Sequence, residues 1–286
     1  MKITFKYFFW LLLASSCSSE NMTYDDPLFY RTEGSGTLDV LFLHGMLGSN
    51  HAWDGIVPSL SKKKRLVLVD LLGFGDSPKP KTDYTVRQHI FKIEQVLKTV
   101  NSTPQIIVAH SMGTFLALNY AIAHPNQVKK LVLINAPMLA SEESLKAAIA
   151  ESSSRFVVAI TFNPTWGKLF CHLHELVPSF SYPFIRLTEP ELPKAVAWAA
   201  GQHTYASYNG SLTHILLNQN FYELLAKVSD IPILVLASDK DEYTKDDALE
   251  KLPQHKNIKL ARLPGKHNNL ITDPELITKE INSFLE

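Results

Sequence analysis

The feature that most restricts what this chain can fold into is the run Ile106-Ile107-Val108-Ala109-His110-Ser111-Met112-Gly113, an apolar strand that breaks at a small-x-Ser-x-Gly turn and continues as a helix. The backbone reverses so tightly there that the residues two before and two after the Ser have room for little side chain, a need that Ala109 and Gly113 meet. The Ser111 hydroxyl is left exposed at the strand end, the layout of a nucleophile elbow. Two later apolar strands, 232–237 and 258–264, are followed by an acid, Asp241, and a base, His267, so the chain order is Ser, Asp, His.

A chain of 286 residues with 45% hydrophobic composition and no internal repeat can bury one large core. Its 28 Lys and Arg balance 28 Asp and Glu, which leaves no net charge to attract nucleic acid. The basic cluster Lys62-Lys63-Lys64-Arg65 directly precedes a strand and reads as a solvated turn, so no nucleic-acid partner is expected.

Strand and helix signals alternate through the first half. Strands are expected at 38–44, preceded by a hairpin around Gly34-Ser35-Gly36, and at 66–71 and 130–135. Helical spacing over 85–100 puts Ile90, Ile93, Val96 and Leu97 on one face, and a helix over 113–123 stops at Pro125. This pattern predicts an α/β fold with a mostly parallel central sheet and helices on both faces. After Pro137 the alternation gives way to a helical, aromatic-rich stretch that includes Phe156, Phe162, Trp166 and Phe170, and strand signals resume only at Ile231-Pro232. An insertion of this kind reads as a helical cap over the active face, with Trp166 as a candidate for the substrate pocket. The expected division is core 29–137, cap 138–228 and core 229–286, closed by a helix over 274–285 that packs on the sheet.

The amino terminus differs from the rest. Lys2 and Lys6 flank an apolar stretch, 7–14, that ends in Ala14-Ser15-Ser16-Cys17. It is shorter than the roughly 20 residues that cross a bilayer. A charged start, a short apolar core and small residues before the cut fit a secretory signal over 1–17, followed by a linker over 18–28. Cys17, directly after small residues, resembles the lipidated cysteine of a bacterial lipoprotein. The expectation is an exported protein, anchored in the membrane through Cys17 and facing the periplasm; a plain cleaved signal, giving a secreted protein, or an uncleaved anchor are the alternatives. With Cys17 so used, Cys171 is unpaired and reads as a small buried apolar residue, with no disulfide framework. His172 and His174 suggest a metal pair, but no carboxylate or third ligand stands at ligand spacing, so no metal is expected. The Asn-x-Ser/Thr triplets at Asn21, Asn101 and Asn209 carry no weight.

Five motifs now stand in one order: Leu43-His44-Gly45-Met46 with His51-Ala52-Trp53, the loop from Asp70 to Ser77, the elbow, Ser238-Asp239-Lys240-Asp241, and Leu263-Pro264-Gly265-Lys266-His267. From Val40 to Leu285 the chain resembles a capped α/β hydrolase of the AB hydrolase-1 type. Family members usually carry Gly where this chain has Ala109, Ser238 and Lys266. The resemblance implies Ser111 as nucleophile, His267 as base and Asp241 as the acid that holds the imidazole. It also implies an oxyanion hole from the backbone amides of Met46 and Met112, and a pocket bordered by His44, Gly45 and His110. A register slip would exchange Asp239 for Asp241, while Asp230 precedes its strand and sits at the wrong end. Trp53 and the 70–77 loop are expected to brace the scaffold. Lys266 could lower the pKa of the neighbouring base or point to solvent.

The chemistry implied is hydrolysis of a small apolar carboxylic ester or thioester through an acyl-enzyme on Ser111, with no cofactor. The same three groups would serve acyl transfer, cleavage of a carbon–carbon bond or an amide, or haloperoxidase chemistry. A non-catalytic binder that keeps the fold is the remaining class. Dehalogenases and epoxide hydrolases of this fold use an Asp nucleophile, against which Ser111 argues.

Overall fold

The computed structural model describes residues 24–139, 141–152, 161–177, 179–252 and 256–286. The signal segment 1–17, most of the linker, Cys17 and Phe156 lie outside the described residues. Among the described residues no helix is long and apolar enough to cross a membrane.

Among the described residues seven strands form one sheet: β1 (Tyr30–Glu33), β2 (Asp39–Leu43), β3 (Arg65–Val69), β4 (Ile106–His110), β5 (Lys130–Ile134), β6 (Ile233–Ser238) and β7 (Ile258–Leu263). Their order is β1-β3-β2-β4-β5-β6-β7, antiparallel only between β1 and β3. The central strands are continuous apolar runs because a parallel sheet is covered on both faces. Alternate residues feed two separate cores. Leu41, Leu43, Ile107, Leu131 and Val235 face the helices Val86–Thr99 and Met112–Ala123, whereas Val40, Phe42, Val108, Val132 and Leu234 face Trp53 and the closing helix Pro274–Leu285 through Ile277 and Ile281. Thr85 starts the first of these helices with a reciprocal capping box to Gln88, and Ile90, Ile93, Val96 and Leu97 are its buried face, as the periodicity predicts.

Two local expectations are corrected. Gly34 and Gly36 do not close a hairpin between β1 and β2, because β1 pairs with β3 on the far side. The loop instead runs against the chain before β3, where a Cβ at Gly36 would stand 2.1 Å from the Lys63 carbonyl oxygen. Arg65 is not part of a solvated turn: it opens β3, and its Nε and Nη2 donate to Asp39 at 2.7 and 2.6 Å.

Between β5 and β6 the described chain is helical. Glu142–Ser152, Pro164–Leu176, Tyr182–Thr188, Lys194–Ala200 and Tyr205–Ser211 stand over the carboxyl ends of the strands. The last part of the insertion behaves differently. Ile215, Phe221, Leu224, Leu225 and Val228 join the main core, with the Phe221 ring 5.5 Å from that of Phe115 on Met112–Ala123. Apolar side chains of these later helices thus find a partner on the sheet's own helix, while Leu212 still packs with Leu145 and Ile149, and Leu216 borders the cavity.

Candidate active site

The elbow is built as its small residues require. Ser111 lies between β4 and the helix Met112–Ala123 with φ 51° and ψ −124°, a left-handed conformation that costs a non-glycine residue on the order of 1–3 kcal/mol. The surrounding packing holds it there. A Cβ on Gly113 would meet the Leu43 and His44 carbonyl oxygens at 2.3 and 2.7 Å, and one on Gly45 would stand 2.9 Å from Ser111 Cβ. The Ser111 amide donates to the Ile134 carbonyl at 2.9 Å, which ties the turn to β5.

His267 and Asp241 come to this hydroxyl from loops at the ends of β7 and β6. The His267 Nε2 lies 2.9 Å from Ser111 Oγ, and its Nδ1 lies 3.0 Å from each Asp241 carboxylate oxygen. A carboxylate only accepts, so Nδ1 carries the proton and Nε2 accepts from the hydroxyl. The Tyr243 amide donates to Asp241 Oδ1 at 2.9 Å, and the Tyr243 ring packs 4.6 Å from the His267 ring. Asp241 is buried and the His267 side chain only 15% exposed, so water competes little for these bonds. Asp239 turns to a different partner: its Oδ1 accepts from the Gly265 amide at 2.9 Å and shapes the loop that carries His267.

Asn135 was not singled out in the sequence, yet it is the hub behind these groups. Its Nδ2 donates to the His267 carbonyl at 2.8 Å, and its Oδ1 accepts from the Ser238 amide and hydroxyl at 2.9 and 3.0 Å. It sits at φ 47°, which Asn tolerates better than most residues. An Asn at the end of a strand, next to Ala136-Pro137, was the available signal.

His110 lines the cavity above Ser111 and donates through Nε2 to the same His267 carbonyl at 3.0 Å. Burial, reinforced by the neighbouring His267, holds the His110 pKa well below its ordinary value, so it stays a neutral donor. His44, by contrast, does not reach the pocket. It is fully buried, accepts from the Leu71 amide at 2.9 Å through Nε2 and donates to the Gly45 carbonyl at 2.7 Å through Nδ1, bracing the loop from behind. Asp70 braces the same loop by accepting from the Asn50 amide at 2.6 Å and the Asp76 amide at 2.8 Å. Gly45 and Met46 both border the cavity beside Ser111. Met112 opens its helix, where the first amides have no intrahelical acceptor, and its side chain is buried in the core.

The cavity measures about 860 Å³ and runs from Ser111 into the cap. Leu145, Ile149, Phe170, Phe184, Ile185 and Val196 supply apolar walls, and Glu189, Glu191 and Lys266 lie at its polar part. Burial and the nearby Glu191 raise the pKa of Glu189. Lys266 is exposed and borders this part of the cavity. Trp166 does not line the cavity: it is 59% exposed, because the helix Pro164–Leu176 turns Gly167, Phe170 and Cys171 inward and leaves Trp166 on the outer side. The expected absence of a third metal ligand is also corrected. His174 pairs not with His172 but with Cys171 and with His203, which the fold brings in from beyond the next two helices; ligand atoms of the three lie within 4.8 Å of one another.

Comparison with known proteins fits this architecture. A family model described as "alpha/beta hydrolase fold" matches residues 40–274. The chain is 42% identical over 107 residues to the probable lysophospholipase BODYGUARD 4 of Arabidopsis thaliana, a match that covers 36% of this chain and 26% of that protein. It is 33% identical over 110 residues to a haloalkane dehalogenase of Mesorhizobium japonicum, covering 38% of this chain and 36% of the other. The matched stretches thus span only about a quarter to a third of these relatives. Among solved structures, E-2-(acetamidomethylene)succinate hydrolase superposes with a TM-score of 0.70 at 21% identity, over 90% of this chain and 94% of that one. A bromoperoxidase from Bacillus anthracis superposes with a TM-score of 0.69 at 21% identity, over 92% and 98% of the two chains.

Proposed function

The chain belongs to the alpha/beta hydrolase fold family, and from that premise we propose that it is a serine hydrolase that cleaves an apolar carboxylic ester or thioester through an acyl-enzyme on Ser111. One observation carries this reading: the Ser111 hydroxyl lies 2.9 Å from the unprotonated Nε2 of His267, at a cavity with apolar walls. The names of the Arabidopsis relatives, probable lysophospholipases, point the same way.

A Ser hydroxyl is a weak nucleophile at neutral pH, so attack on the carbonyl carbon requires His267 to take its proton as the new C–O bond forms. Asp241 keeps Nδ1 protonated and stabilises the imidazolium. The tetrahedral oxyanion is received by the Met46 and Met112 amides, each such donor being worth about 3–4 kcal/mol. When the carbonyl re-forms, His267 Nε2–H gives its proton to the departing alcohol or thiol. Water then attacks the acyl group, loses a proton to the same Nε2, and Ser111 leaves with its hydroxyl restored. His110 and Asn135 both hold the His267 carbonyl and so keep the ring on this line.

A fluorophosphonate probe and a panel of p-nitrophenyl esters of rising acyl length test the reading. Labelling of the purified protein should disappear in Ser111→Ala, and turnover should fall on the order of a millionfold without loss of the thermal transition. Absence of labelling in the unmodified protein, or equal labelling of the variant, would leave a binding protein that kept the fold. We propose in addition that the protein is exported and anchored through a lipidated Cys17, on the strength of the charged, apolar and small-residue run before it. Metabolic labelling with a palmitate analogue should depend on Cys17; unprocessed protein in the cytoplasm would refute export.

A further inference from the structure

We propose that Cys171, His174 and His203 form a binding site for one thiophilic divalent cation, Zn2+ by preference, whose remaining coordination position opens on the substrate cavity. The site is separate from the Ser111 chemistry and does not depend on it.

Three independent observations carry the inference. First, the spacing is near that of a metal centre, with ligand atoms of the three residues within 4.8 Å of one another. Cys171 and His174 stand one helical turn apart on Pro164–Leu176, and Cys171 Sγ lies 3.8 Å from His203 Nε2. Tetrahedral Zn2+ with its usual bonds to sulfur and nitrogen separates two such ligands by about 3.6 Å.

Second, the imidazoles are already fixed as metal ligands require. His203 Nδ1 lies 3.1 Å from the Ala200 carbonyl, and a carbonyl only accepts, so Nδ1 carries the proton and Nε2 keeps its lone pair toward Cys171. His174 Nε2 lies 2.7 Å from the His203 carbonyl, so Nε2 carries its proton and the lone pair is on Nδ1. Anchoring one ring nitrogen on a backbone carbonyl is the usual way a protein orients a ligating His.

Third, the His174 Nδ1 is buried and has no hydrogen-bond partner among the described residues, and His174 as a whole is only 2% exposed. A buried acceptor without a partner is costly, and a bound cation would give it one. Cys171 and His203 both border the cavity, so a three-ligand site here leaves a position for water or for a polar atom of a bound molecule. On binding, the Cys171 thiol gives up its proton to solvent and coordinates as thiolate. The cation would join Pro164–Leu176 to the segment that leads into Tyr205–Ser211.

Co2+ titration of the purified protein under reducing, oxygen-free conditions tests the site. One equivalent should produce a near-ultraviolet thiolate-to-Co2+ charge-transfer band, displaced by one equivalent of Zn2+. Cys171→Ser should abolish the band, and His203→Asn should weaken Co2+ binding roughly 100-fold or more. Ser111→Ala should bind as the parent does, which separates this site from the hydrolase reading. No band in the unmodified protein at stoichiometric Co2+ would overturn the proposal whatever the variants do, and so would a band that survives in folded Cys171→Ser.

Discussion

In β2, β4 and β6 every side chain is buried, while in the cap Trp166, Leu176 and Leu187 are 59%, 65% and 79% exposed. The strands have no free face. Each residue of β4 meets a helix on one side or the other, so the pattern that forms the sheet also fixes where its carboxyl ends, and hence Ser111, must stand. The cap helices Tyr182–Thr188, Lys194–Ala200 and Tyr205–Ser211 are seven residues each, too short to be stable alone, and they spread their side chains among cavity, solvent and neighbouring elements. The proposed chemistry is thus held by the region that tolerates least change, and much of the cavity wall by the region that tolerates most.

Three measurements would break or sharpen that contrast. The largest effect is expected in the sheet layer. Gly113→Ala drives a methyl group into two backbone carbonyls that cannot move independently of β2, and should lower the unfolding free energy by about 3 kcal/mol in chemical denaturation. A near-neutral result would mean that the elbow can shift, and the contrast with the cap would fail.

The second concerns the seam between the two regions. His89, on the core helix Val86–Thr99, is fully buried, lies 3.5 Å from Ser211 Oγ, and burial depresses its pKa to about 3. The unfolded chain takes up this proton below about pH 6.5, whereas the folded protein resists it until about pH 3, so the stability due to a neutral His89 is present above pH 6.5 and is lost as pH falls. Between pH 7 and pH 5 the unmodified protein should lose about 2 kcal/mol more than His89→Gln. Equal losses would show that His89 is not held neutral.

The smallest effect is expected on the outer cap. Leu187→Ser removes a side chain that is 79% exposed and should change stability by no more than about 0.5 kcal/mol, read as an unmoved denaturation midpoint. A loss of several kcal/mol would show that this surface is covered in the intact protein.

Much of the fold and the principal polar contacts could be read from the chain because the signals are local. An apolar run, a small-x-Ser-x-Gly turn and the start of a helix are contiguous, and so are the strand ends that carry Asp241 and His267. What could not be read depends on which elements become neighbours. Asn135 acts on His267 and Ser238 only because β5 and β6 are adjacent, which no spacing reveals. Trp166 was expected in the pocket from its residue type, but composition does not say which side of a helix faces inward. The pairing of His174 with His203 rather than with adjacent His172 follows from helix geometry: residues two apart diverge, and the third ligand comes from another segment. That Ile215 and Phe221 join the main core was illegible for the same reason, since both are apolar whether they cover a cavity or a core.

The left-handed backbone of Ser111 has a consequence for anyone who evolves this molecule in the laboratory. At φ 51° only glycine is comfortable, so the residue on which turnover is proposed to depend is also one that a search for heat resistance has reason to replace. Screens that reward survival without demanding turnover would therefore drift toward sturdy proteins that have lost their hydroxyl, and a robust catalyst will come only from selection that asks for both at once.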